Sequence, residues 1–224
     1  MTAVDSANAT TEITVHNPAN GSVSGSVPID DAGTVAAKAA KLRAAQPEWE
    51  AMGPRGRKRW MLDFQGWLLD NADHLTEVLI SETGKSRGDA SLEPVATGDN
   101  VSYWATNAEA FLADRHPKAH SPIYRVKRFT TTFRPYPLVG VITPWNFPLA
   151  MPGLDVPPAL AAGAAVLLKP SEVTPLSAVE FVRGWAEIGA PPVLDIATGY
   201  GETGAALIEQ ADFIQFTGST ATGR

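Results

Sequence analysis

Apolar residues recur at helical spacing through the first half of the chain and gather into short unbroken runs in the second. Ile13 and Val15 alternate with polar neighbours, Asn20 and Gly21 favour a tight turn, and Val23 and Val27 follow, which predicts an opening hairpin. Val35, Ala39, Leu42 and Ala45 share one helical face. Asp30 or Asp31 can cap that helix, and Pro47 marks its expected end. Trp60, Phe64, Trp67 and Leu68 predict a second helix; Leu75, Val78 and Leu79 predict a third that stops at Gly84. A fourth is expected from about Leu92 to Leu112.

Between Pro117 and Pro137 the run IYRVKRFTTTFRPYP alternates apolar or aromatic residues with basic ones and threonines, a period of two that suits exposed strands. Such strands need a partner, so an arm pairing with another segment or subunit is expected. From Leu138 the texture changes. LVGVIT, AAVLLK, VLDIAT and FIQFTG read as buried strands, separated by helices near Leu154–Ala162, Leu176–Glu187 and from Glu202 onward. The expected class is α/β: a Rossmann-like parallel sheet with helices on both faces, preceded by a helical N-terminal region and interrupted by an extended strand arm. The expected divisions are 1–116, 117–137 and 138–224.

Composition narrows the function. At 44% hydrophobic and 19% charged residues the chain is an ordinary globular protein. Eighteen Lys and Arg against 24 Asp and Glu give a net charge of -6, which disfavours nucleic acid and anionic membrane as partners. Its longest apolar run, Pro157 to Leu168, is too short to span a bilayer, and MTAVDSANATTE has neither the basic start nor the apolar core of a signal peptide. A frayed N-terminus and a cytoplasmic location are therefore expected. The chain has no Cys, so it offers no disulfide, thiolate ligand or thiol nucleophile.

Three loops at strand ends can carry chemistry. After FIQFTG, the stretch Gly218 to Gly223 has glycines five apart, with Ser219 and Thr220 able to cap a following helix; it reads either as a pyrophosphate site or as a plain turn and cap. Lys169 ends AAVLLK and Glu172 follows in KPSEVTP, where a cation and an acceptor carboxylate could hold a ribose or merely shape a surface loop. TPWNFP, Thr143 to Pro148, could present the Asn146 amide to a developing oxyanion, or pack Trp145 and Phe147 as core.

PWNFP, KPSEVTP, GYG at Gly199 to Gly201 and FTGSTATG occur in the order and rough spacing of the aldehyde dehydrogenase superfamily, and ETGKS at Glu82 to Ser86, the early helices and the arm fall where that family places them. The chain resembles the N-terminal, cofactor-binding portion of an NAD(P)-dependent member. By that resemblance Asn146 is the oxyanion-hole donor, and Thr143, Pro144 and Trp145 line the nicotinamide side. Lys169 and Glu172 hold the adenosine ribose, Gly201 lies beside the adenine, and Gly218 and Ser219 hold the pyrophosphate. Ile142, Ser171, Phe216, Thr217 and Gly223 complete the cofactor-binding set. A carboxylate at Glu172 repels a 2′-phosphate, which favours NAD, with NADP also admissible. The arm resembles the family's oligomerisation segment, so a homo-oligomer is implied, and the substrate implied is a small aldehyde.

In that family a thiolate attacks the aldehyde, hydride passes to the nicotinamide, and a Glu-activated water releases the acid. Neither that Glu nor a Cys falls within these residues, so the chain is expected to be a truncated part, inactive alone, and a separately supplied catalytic fragment is a conceivable partner. The end at Arg224 falls where the family continues a helix. A non-catalytic nucleotide-binding or interaction module is the alternative. GKS at Gly84 to Ser86 lacks the upstream Gly of a phosphate loop, His116 and His120 sit among prolines rather than on a metal-binding helix, and no serine-hydrolase elbow occurs. No metal site is expected. Phe64, Trp67, Trp104 and Phe111 could edge a substrate tunnel, though core packing is the simpler role.

Overall fold

The structure, a computed structural model, describes residues 11–223. The expectations for the first ten residues and for Arg224 lie outside the described residues.

The expected hairpin forms: β1 (Glu12–His16) pairs antiparallel with β2 (Val23–Pro28), Ile13 opposite Val27. Gly21, at φ 73°, supplies the left-handed residue of its turn. Then α1 (Ala32–Ala51) begins, and the structure chooses between the two aspartates. Asp31 is the N-cap, its carboxylate accepting the Thr34 N–H at 2.7 Å. Asp30 is buried instead. It accepts from Lys38 Nζ at 2.5 Å and from the Thr198 N–H at 3.0 Å, tying the hairpin exit to the sheet.

Pro47 does not end α1, which runs on to Ala51. An interior proline costs about 3 kcal/mol. Here the extra turn buries Trp49, which meets Trp185 edge-on at 5.7 Å between ring centroids and donates its indole N–H to the Leu160 carbonyl at 2.9 Å. Burial and a satisfied indole offset the lost backbone bond.

Four more helices follow: α2 (Gly53–Asp70), α3 (Ala72–Thr83), the single turn α4 (Arg87–Ala90) and α5 (Leu92–Phe111). Helix α3 stops as expected at Gly84, whose φ is 69°. Phe64 packs edge-on against both Phe181 and Trp185 and is core, with Trp60 and Trp67 of the same stripe half-buried against it. The arm differs from its expected pattern. Among the described residues it holds one 3-10 turn, Pro122–Tyr124, and one bridge, Arg115 to Thr131, but no strand ladder. Ile123 is 76% and Val126 89% exposed. Among the described residues nothing beyond that bridge supplies the neighbouring backbone that strands require.

The α/β half alternates as read: β3 (Leu138–Ile142), α6 (Ala150–Ala162), β4 (Ala165–Lys169), α7 (Leu176–Glu187), β5 (Leu194–Ile196), α8 (Gly201–Gln210) and β6 (Phe213–Phe216). The strands form one parallel sheet ordered β5-β4-β3-β6, so the order reverses at β3. Helices α1 and α8 pack together against β3 and β4, while α6 and α7 join the sheet to α2, α3 and α5. Gly140 allows the close approach of α8, since a Cβ there would meet Leu207 Cδ2 at 2.3 Å.

Helix α6 starts four residues before the expected Leu154. Its cap comes from far away: Glu93 on α5 accepts the Leu149 and Ala150 N–H groups at 3.1 and 3.0 Å. Glu82 on α3 does the same for α7, accepting from Leu176 and Ser177 at 2.7 and 3.0 Å. Burial pushes the Glu82 carboxyl up to about 7 against the pull of those donors. At the opposite ends, the buried Arg57 guanidinium donates to the carbonyls of Trp49 and Glu50 on α1 and of Ala161 and Ala162 on α6. One cation thus serves two helix C-termini.

Candidate functional site

The register brings the three chemical loops to one edge. Ile142 of β3 lies opposite Lys169 of β4 on one side and Phe216 of β6 on the other. The ladder runs one step further, as the Thr143 N–H reaches the Lys169 carbonyl at 3.1 Å and the Thr217 N–H the Ile142 carbonyl at 3.0 Å. At these carboxyl ends, beside the point where strand order reverses, a crevice of about 980 Å³ opens. Parallel sheets bind ligands at such switch points.

From β3 the crevice is lined by Ile142, Thr143, Pro144, Trp145 and Asn146; from β4 by Lys169, Ser171 and Glu172; from α8 by Gly201; from β6 by Phe216, Thr217, Gly218 and Ser219. Gly223 is not on the wall. It sits behind Phe216, where a Cβ would meet Phe216 Cε1 at 3.1 Å, and a Cβ on Gly218 would meet the same ring at 2.5 Å. The two glycines therefore flank the Phe216 ring. Ser219 Oγ accepts the Thr222 N–H at 3.1 Å, and its carbonyl receives Gly223, the hydrogen bonding of a capped first turn.

Trp145 is 59% exposed and Phe147 is also exposed, so neither is core. The Thr174 hydroxyl donates to the Trp145 carbonyl at 2.9 Å and joins the loop after β3 to the loop after β4. Thr143 is buried, and its Oγ1 has no hydrogen-bond partner among the described residues. Such an atom costs about 1–3 kcal/mol unless something else satisfies it. Lys169 is 5% exposed, and its ammonium donates to the Pro170 carbonyl at 3.0 Å, leaving further donors. Burial lowers its pKa, with the Glu172 carboxylate pulling the other way.

Met151, Gly204, Ala205, Ile208 and Thr222 also line the crevice, and no motif in the sequence singles out any of them. Gly201, Ala205 and Ile208 stand at helical spacing along α8, a signal that the motif hid. The set fits a dinucleotide: a cation and a carboxylate at one strand end, an aromatic ring backed by glycines, and a buried hydroxyl lacking a partner. Phe64, Trp67, Trp104 and Phe111 lie away from the crevice walls. His116 Nδ1 is paired with the Thr130 hydroxyl at 3.2 Å, and Lys85 of the GKS stretch with Glu93 at 2.5 Å. Among the described residues no three His, Asp or Glu side chains gather as a metal site, and no helix is long and apolar enough to cross a membrane.

The model of the aldehyde dehydrogenase family matches residues 4–224, and the chain belongs to that family. A Mycolicibacterium smegmatis protein named for NADP(+)-dependent succinate-semialdehyde dehydrogenase is 38% identical over 88% of this chain and 38% of its own length. The chloroplastic betaine aldehyde dehydrogenase of Beta vulgaris is 34% identical over 94% of this chain and 44% of its own. Among solved structures, an NAD-dependent benzaldehyde dehydrogenase from Corynebacterium glutamicum superposes with a TM-score of 0.87 at 31% identity, covering 95% of this chain and 47% of that one. The chain thus spans less than half the length of these relatives.

Proposed function

We propose that this chain supplies the cofactor-binding part of an NAD(P)-dependent aldehyde dehydrogenase, oxidising an aldehyde to a carboxylic acid in the complete protein. The observation that carries this reading is the alignment of Ile142, Lys169 and Phe216, which sets the loops after all three strands around one crevice. Lys169 and Glu172 hold the adenosine ribose, Gly201 leaves room for the adenine, and Ser219 with the bare backbone at Gly218 receives the pyrophosphate. Thr143, Pro144 and Trp145 face the nicotinamide, and the Thr143 hydroxyl gains the partner it lacks within the fold. When bound, the nicotinamide accepts hydride from the reacting carbon. Asn146 donates its amide N–H to the developing oxyanion; loss of one such donor costs about 10²–10³ in turnover.

The nucleophile is not among these residues, because the sequence contains no Cys. The chain by itself is accordingly a dinucleotide-binding module without aldehyde oxidation. Glu172 favours NAD over NADP: among the described residues Lys169 is the one cation lining the crevice, and the carboxylate three positions on faces any 2′-phosphate. The arm, with Ile123, Val126 and Phe129 exposed, docks on a second copy. Residues 11–116 and 138–223 together form the cofactor-binding body.

Calorimetric titration of the chain with NAD and NADP tests this. NAD is expected to bind the more tightly, with Glu172→Gln narrowing the difference and Lys169→Met weakening both. A folded chain that binds neither dinucleotide would overturn the reading.

A further inference from the structure

We propose that Lys85 is a positioning residue for Asn146, holding the loop that carries the amide at two points. Helix α3 ends at Gly84 in the left-handed conformation, which turns the chain and sends the Lys85 side chain toward α5 and the loop after β3. There its ammonium does two things. It lies 2.5 Å from Glu93 Oε1, and it stands over the face of the Phe147 ring, 4.1 Å from the centroid.

Both partners belong to the loop's support. Phe147 directly follows Asn146. Glu93 uses its other oxygen, Oε2, to accept the N–H groups of Leu149 and Ala150, where the loop enters α6. Its side chain is only 3% exposed, so the Lys85 charge is what balances it there. On the far side of Asn146 the Trp145 carbonyl is held by Thr174. The amide therefore projects from a short exposed stretch whose neighbours on both sides are fixed from outside it. A flexible exposed Asn would lose the pre-orientation on which oxyanion stabilisation depends. Lys85 supplies that order through a charge pair and a ring contact, without touching the crevice wall itself.

The catalytic meaning of this clamp rests on the proposed role of Asn146, whereas the clamp is testable in the chain as it stands. The readout is the Asn146 side-chain amide in nitrogen-15 NMR spectra of the full chain, together with the NAD dissociation constant. In the unchanged chain and in Lys85→Arg the amide should give one ordered pair of cross-peaks. In Lys85→Met, which keeps the length but not the charge, the pair should broaden, and the NAD dissociation constant should rise about tenfold. Arg43→Met, which removes the ion pair with Asp212 beside the start of β3 at the opposite end of the sheet, should lower the melting temperature and change neither readout. An Asn146 pair in Lys85→Met identical to that of the unchanged chain overturns the clamp, whatever happens to stability. If Lys85→Met does not fold, Phe147→Leu removes the ring face alone, and an unaltered amide in that variant overturns the proposal equally. If the unchanged chain binds no dinucleotide, the cofactor reading fails, while the amide signals still decide the clamp.

Discussion

The arm at 117–137 and the sheet built from residues 138–216 use similar residues to opposite effect. Both carry β-branched and aromatic side chains, but Leu138, Val139 and Val141 of β3 are buried between β4 and β6, while Val126 and Ile123 of the arm stand in solvent. Strand preference is fulfilled where neighbouring backbone and a covering layer exist, and not otherwise. A strand pattern is thus a statement about an environment as much as about a sequence.

The largest test of that contrast is Leu168→Ala in β4. Leu168 is fully buried, and its truncation should cost about 4 kcal/mol in urea unfolding. A loss below 1 kcal/mol would mean that the sheet is as loosely held as the arm.

Next comes pH. The folded chain keeps the Glu82 proton up to about 7, whereas the unfolded chain gives it up near 4.5. Between those values the folded state binds more protons, so this group makes stability fall as pH rises, by about 3 kcal/mol across the window. Glu82→Gln cannot titrate, and its stability profile from pH 4 to 8, about the span of the two pKa values, should be flatter than that of the unchanged chain. Parallel profiles would show that Glu82 does not hold its proton in the fold.

A smaller effect is expected at Thr143. Thr143→Val removes the unpartnered hydroxyl, so stability should hold or rise by about 1 kcal/mol while NAD affinity drops. A clear loss of stability would indicate that the hydroxyl is satisfied inside the fold. The smallest effect belongs to the arm: Val126→Ala should change unfolding by less than about 0.5 kcal/mol. If it also weakens self-association in sedimentation, the arm finds its missing neighbour in another copy.

Much of the fold was legible because its signals are local. Gly84 stops α3, and Leu176–Glu187 matches α7 residue for residue. What escaped were effects of long range. Pro47 argues for a stop, but Trp49 and its bond to Leu160 carry α1 past it. The early start of α6 depends on Glu93, more than fifty residues upstream, which no local pattern reveals. In the crevice the motif residues could be named, but Ala205 and Ile208 could be found only by projecting α8 as a helix. By sequence Lys85 belongs only to an incomplete phosphate motif, since its partners Glu93 and Phe147 are distant along the chain.

Arg57 has a further consequence during synthesis. Its bond to the Ala161 carbonyl spans 104 residues. A ribosome adding about 5–20 residues per second needs roughly 5–20 s to make the acceptors after the donor has appeared. For most of that interval α2 is complete, yet the guanidinium has only the α1 carbonyls of Trp49 and Glu50 to donate to, and its bonds to α6 are still unmade. The order of emergence therefore leaves the α1–α2 pair half tied until α6 arrives with the remaining two acceptors.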